Sequence, residues 1–129
     1  MKELKKILYA EDEIDIQVIV DAIVKSMSSY EIMFCNNGQE VLDIVEEYNP
    51  DLILLDIMMP EVDGLTAFQE LQKSEKTKNI PVVFITAKAQ VHEVQSFLKT
   101  GVIGIITKPF DPMQLCSNIN AIWEKHVDG

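Results

Sequence analysis

The sequence predicts a doubly wound α/β fold, a five-stranded parallel sheet flanked by five helices. Five short apolar runs alternate with longer segments of helical spacing. The runs centred on residues 53 and 83 are apolar at every position, as strands covered on both faces must be. Four of the five runs end in a charged or hydroxyl residue.

The elements follow in order. Residues 7–10 form the first run, which ends in Glu11-Asp12-Glu13 and leads into a helical segment over 13–27. Residues 32–35 form the second run. Asn37-Gly38 opens the next helix, 38–47, whose Val41, Leu42 and Val45 lie on one stripe, and Asn49-Pro50 stops it. Residues 52–55 lead to Asp56, and the turn Asp63-Gly64 opens a helix over 64–73 that carries Leu65, Phe68 and Leu71 inward. The fourth run, 82–85, ends in Thr86 and is followed by a helix over 90–99. The fifth, 103–106, ends in Thr107-Lys108-Pro109. Strand alternation puts Ile103 and Ile105 on one face and Gly104 and Ile106 on the other. Asp111 caps the last helix, 111–126, with Pro112 at its first position and Leu115, Ile119 and Ile122 on its buried side.

The 129 residues suit one folding unit, residues 1–129. Net charge is −10, and all eleven basic residues are Lys. An acidic chain without Arg is poorly matched to phosphate backbones or anionic membranes, so direct nucleic-acid and membrane binding are not expected. Cations and basic protein faces are the expected partners. Cys35 and Cys116 have no zinc-type spacing and read as reduced core thiols, which suits the cytoplasm. Acids interrupt the first apolar run too early for a signal peptide or membrane span.

In an open parallel sheet the strand carboxyl ends converge on one edge, where ligands bind. That edge would gather Glu11, Asp12 and Asp56 with Thr86 and Lys108. Clustered carboxylates repel unless a cation intervenes, and Mg²⁺ takes carboxylates, a carbonyl and a phosphate oxygen. A lysine and a hydroxyl stabilise phosphoryl oxygens. The set therefore reads as a Mg²⁺-assisted phosphoryl site with Asp56 as nucleophile. Taken singly, each residue has a plainer role: Asp12 as a helix cap, Asp56 as a solvated loop acid, Thr86 as a cap, Lys108 as a surface lysine.

These segments resemble the receiver domain of two-component response regulators from Ile7 to about Trp123. Ile7-Leu8-Tyr9-Ala10-Glu11-Asp12-Glu13 resembles the first strand with its acidic pair. The stretch Asp51-Leu52-Ile53-Leu54-Leu55-Asp56-Ile57-Met58-Met59-Pro60, with Asp63-Gly64, resembles the phosphoacceptor strand and loop. Pro81-Val82-Val83-Phe84-Ile85-Thr86-Ala87 resembles the fourth strand with its switch hydroxyl, and Thr107-Lys108-Pro109-Phe110 the signature lysine and proline.

The resemblance implies a flavodoxin-like sheet of order 2-1-3-4-5. It implies that Asp56 accepts phosphate from a histidine kinase or phosphotransfer protein. Asp12, Asp56 and the Met58 backbone carbonyl would hold Mg²⁺, with Glu11 acting through water; Thr86 and Lys108 would contact phosphoryl oxygens. It implies a cis Lys108-Pro109 bond. Output would pass to a downstream protein or a second copy through the 86–126 face, and the chain would be a signalling switch, not an enzyme acting on other substrates.

Two positions depart from the family pattern. Glu11 stands where an aspartate is common, and Ile105 where a switching aromatic is common. The segment holding Ile103 and Ile105 is either a docking patch or is covered by the helices at 90–99 and 111–126. Two rival functions fit less well. A Mg²⁺-dependent phosphohydrolase wants a carboxylate two residues after the nucleophile, where Met58 stands. A flavodoxin-like nucleotide binder wants a Gly-rich or hydroxyl-rich loop after the first strand, where the acids stand. Met58-Met59 reads as loop packing or an adaptable surface, His92 and His126 as solvated, and Trp123 as a core-edge residue or a partner anchor.

Overall fold

A computed structural model describes residues 3–87 and 90–129. Five strands alternate with five helices: β1 (Lys6–Ala10), α1 (Ile14–Met27), β2 (Glu31–Cys35), α2 (Gly38–Tyr48), β3 (Leu52–Asp56), α3 (Gly64–Lys73), β4 (Val82–Thr86), α4 (Val91–Leu98), β5 (Gly104–Thr107) and α5 (Pro112–Asp128). The sheet order is β2-β1-β3-β4-β5, and every pairing is parallel. The doubly wound architecture expected from the alternation is the one observed.

Each strand contributes alternate side chains to two cores, as the period of two requires. Leu8, Ala10, Ile53, Leu55, Val82 and Phe84 face α2 and α3, where Val41, Val45, Phe68 and Leu71 meet them. Ile7, Tyr9, Leu52, Leu54, Val83 and Ile85 face α1 and α5, where Val20, Val24, Leu115 and Ile119 meet them. Both β3 and β4 are buried along their full length, in keeping with their unbroken apolar runs. Each cysteine is a buried free thiol, Cys35 in the first core and Cys116 in the second.

Helix starts follow local chemistry. The side chains of Asn37, Asp63 and Asp111 accept the backbone N–H groups of Glu40, Thr66 and Met113. Asn49 ends α2 in the left-handed region at φ 52°. At α1 the flanking residue is Glu13, without a side-chain cap bond. Asp12 is therefore not the cap of α1 and is left exposed beside the sheet edge.

The fifth strand corrects one expectation. It starts at Gly104, so Ile103 precedes the strand and packs with the α1/α5 core, whereas Ile105 packs against the opposite core. The two do not share a face: the Ile103 N–H already donates to the Val82 carbonyl at 2.8 Å, but regular alternation begins only at Gly104. Both are half-buried. On the α5 side a Cβ at Gly104 would lie 2.8 Å from a methyl of Ile122, so the missing side chain lets β5 and α5 approach closely. Residues 88 and 89 of the 86–126 face lie outside the described residues.

Candidate functional site

β1 and β3 are neighbours at the sheet centre, with Ala10 opposite Leu55, so Glu11 and Asp56 emerge together. The Glu11 N–H extends the β1/β2 ladder by donating to the Cys35 carbonyl at 2.9 Å. Asp56 pairs in register with Ile85 of β4, and Thr86 with Thr107 of β5. The Lys108 N–H donates to the Thr86 carbonyl at 2.8 Å, which brings the residue after β5 back toward the centre. The Lys108-Pro109 bond is cis.

Carboxylate oxygens of Glu11, Asp12 and Asp56 lie within 4.8 Å of one another. Glu11 and Asp56 are 0% and 3% exposed, and Asp12 faces solvent. The Lys108 ammonium bridges the buried pair, 2.6 Å from Asp56 Oδ2 and 2.9 Å from Glu11 Oε1. Glu13 Oε2 lies farther out, 3.6 Å from the same ammonium. Asp56 Oδ1 accepts the Met58 N–H at 3.1 Å. Thr86 is fully buried at the end of β4, and the Met58 side chain is exposed.

Electrostatics follow from this arrangement. Burial pushes the Glu11 carboxyl above its ordinary value, against the lowering effect of Lys108 and of the Glu13 N–H. Burial alone would lower the Lys108 ammonium, but its bonds to Asp56 and Glu11 win and hold it above its ordinary value.

Two residues of this site were not singled out for it from the sequence. The buried Tyr9 hydroxyl donates to Glu11 Oε1 at 3.0 Å, and its own ionisation is pushed well up, by burial first and by Glu11 second. The Gln17 carboxamide donates to the Glu11 backbone carbonyl and to Asn36 Oδ1. The available signal was the period of two, which puts Tyr9 on the face of β1 from which Glu11 leaves.

A largely apolar groove of about 370 Å³ borders the site, lined by Ile16, Ile19 and Val20 of α1 and by Lys108, Pro109 and Phe110 after β5. Exposed Ile14 and Val18 lie nearby on α1. Among the other residues considered, His92 and His126 are exposed, as expected. Trp123 is buried in the α1/α5 core and is no surface anchor.

A doubly wound parallel sheet that gathers three acids and a lysine at its carboxyl edge defines the class, an open α/β fold with a polar site where the central strands end. Residues 7–120 match the family model of the response regulator receiver domain, and the chain belongs to that family. It is 36% identical over 118 residues to a probable transcriptional regulator, ycf27, of Cyanophora paradoxa, covering 92% of this chain and 48% of that one. It is 34% identical over 125 residues to the phosphate regulon transcriptional regulatory protein PhoB of Pseudomonas aeruginosa, covering 97% of this chain and 54% of that one. The chain thus spans about half the length of these curated relatives.

Among solved structures, the fold matches chemotaxis response regulator CheY4 of Vibrio cholerae with a TM-score of 0.83 at 23% identity, over 93% of this chain and 99% of that one. It also matches the Francisella response regulator 1452 receiver domain, with a TM-score of 0.83 at 26% identity, over 95% of this chain and 98% of that one. The sheet is flavodoxin-like, of the kind seen in CheY. Among the described residues no helix is long and apolar enough to cross a membrane.

Proposed function

We propose that this receiver domain accepts a phosphoryl group on Asp56 in a Mg²⁺-dependent reaction and thereby switches a protein-binding face. The observation that carries the reading is the convergence of Glu11, Asp12 and Asp56 within 4.8 Å, with Lys108 drawn to 2.6 Å from Asp56.

The donor set is all hard oxygen, which suits Mg²⁺. Asp12 and Asp56, with the Met58 backbone carbonyl, would hold the ion, and Glu11 would reach it through water. When bound, the ion supplies positive charge for the phosphoryl oxygens. Asp56 attacks phosphorus through a carboxylate oxygen, and the bond to the donor's leaving group breaks, that group departing with the electron pair. Lys108 then pairs with a phosphoryl oxygen and Thr86 donates its hydroxyl to another, replacing the contacts that Lys108 makes with Asp56 in the resting protein. Redistribution of these contacts biases the 86–126 face between two arrangements.

The donor in this reading is a histidine kinase or phosphotransfer protein, and the apolar groove that Lys108 shares with α1 suits a protein surface. The output is a downstream protein or a second copy of the chain. Met58 offers no carboxylate as an acid/base two residues beyond Asp56, which separates the site from that of a phosphohydrolase. Buried, unpaired Cys35 and Cys116 suit the cytoplasm.

Incubation with Mg²⁺ and acetyl phosphate, followed by intact-mass spectrometry, is expected to show one added phosphate on the parent and none on Asp56→Asn. Equal labelling of both proteins would refute the assignment.

A further inference from the structure

We propose that Tyr9 is a positioning residue: its buried hydroxyl holds the Glu11 carboxylate in place and thereby sets the affinity of the acidic site for Mg²⁺. The inference rests on the proposed function and deepens it, because it names a residue behind the acids that prepares them for the cation.

Tyr9 lies within β1 and is fully buried among Leu52, Leu54 and Ile85. Its ring lies 5.6 Å from that of Phe34, a contact that phenylalanine would make equally well. The hydroxyl is the part that packing does not explain. A phenol placed inside an apolar core is costly unless it finds an acceptor, and it finds Glu11 Oε1 at 3.0 Å.

Glu11 in turn is fully buried, and each of its oxygens is engaged. Oε1 receives the Tyr9 hydroxyl and the Lys108 ammonium, at 3.0 and 2.9 Å. Oε2 receives the Glu13 N–H and the same ammonium, both at 3.2 Å. Lys108 is shared with Asp56, and in the proposed reaction it turns to the phosphoryl group. Glu11 is then left with Tyr9 and the Glu13 N–H, so the phenol is one of the two donors that keep its carboxylate fixed in place throughout.

Side-chain length makes the pairing specific. An aspartate at position 11 would retract the carboxylate by about 1.5 Å, one carbon–carbon bond, and would leave the phenol beyond hydrogen-bond range. The additional methylene of Glu11 and the hydroxyl of Tyr9 therefore act as a matched pair. Outer donors of this kind orient the acidic groups around a metal, and their removal weakens binding by about tenfold or more.

The test is a double-substitution cycle on the intact chain: parent, Tyr9→Phe, Glu11→Asp and the double variant. Mg²⁺ affinity is read by calorimetry, and the Glu13 amide resonance is followed in metal-free protein. Tyr9→Phe keeps the ring and is expected to fold. In the parent background it should weaken Mg²⁺ binding about tenfold and shift the Glu13 amide. In the Glu11→Asp background it should change the affinity by less than about twofold, because the shorter acid never reaches the phenol. Unchanged Mg²⁺ affinity in Tyr9→Phe, or an equal loss in both backgrounds, would overturn the inference. Acetyl phosphate labelling of the parent separates the two levels. A parent that neither binds Mg²⁺ nor takes up phosphate overturns the proposed function together with this inference, whereas a parent that does both, alongside an unaltered Tyr9→Phe, overturns the role of Tyr9 alone.

Discussion

Lys108 stands between two carboxylates that would otherwise repel each other in a buried setting, Asp56 at 2.6 Å and Glu11 at 2.9 Å. Removing the ammonium leaves both acids desolvated and unpaired, a loss that costs about 3 kcal/mol for a buried pair. Lys108→Ala is therefore expected to melt at a lower temperature than the parent without metal, and to recover part of the loss in Mg²⁺, since a cation restores the missing charge. Calorimetric melting with and without Mg²⁺ checks this; a variant as stable as the parent in both conditions contradicts it. The acids and the lysine were legible in the sequence because each follows an apolar run, and a parallel sheet sends all such positions to one edge. Tyr9 was not, because within a β-forming run its ring is indistinguishable from an ordinary core aromatic, and only the folded strand aims its hydroxyl at Glu11.

At the scale of elements, the loop after β3 is built on two close backbone approaches. The Gly64 N–H donates to the Ile57 carbonyl at 3.0 Å, and a Cβ at Gly64 would collide with the Asp56 carbonyl oxygen and lie 2.9 Å from the Ile57 Cα. Rigid backbone cannot yield as a side-chain end can. Gly64→Ala is expected to destabilise the fold by about 2 kcal/mol, overpacking outweighing the gain in helix propensity, and to slow phosphate uptake by displacing Asp56. Urea unfolding and acetyl phosphate labelling measure the two effects; an Ala variant equal to the parent in both would contradict the argument. The Asp63-Gly64 turn and the Asp111-Pro112 start were readable because caps follow local chemistry. The onset of β5 was not, since residues 103–106 are apolar or Gly throughout and nothing local says where regular alternation begins. Only packing of Ile103 toward α5 and of Ile105 toward the other core decides it.

At the scale of the whole molecule, several protonated groups are held above their ordinary values by burial: Tyr30, Tyr48, Cys116 and Cys35, the last pushed up to about 12 from 9.0. The folded state then retains protons that the unfolded chain releases, so stability is full below the unfolded value and declines as pH rises toward the folded one. For Cys35 that window runs from 9.0 to about 12. The urea midpoint is expected to be lower at pH about 10.5 than at pH about 8; a midpoint that stays level or rises would contradict this. The sheet order came from the family resemblance and not from periodicity, because alternation shows that strands and helices take turns but not which strands lie side by side. The acidic edge and the two-sided apolar strands, by contrast, were written into the residues directly.

The full enclosure of β3 has a consequence for how a chemical event at Asp56 can be felt elsewhere. Asp56 is anchored to a central strand, hydrogen-bonded to a neighbour on each side and roofed above and below. In the proposed reaction, a bulky charged group arriving there would meet a close-packed strand that resists displacement. Displacement would then fall on the loops that carry Met58 and Lys108, and the rigidity of the centre would direct the message to the periphery.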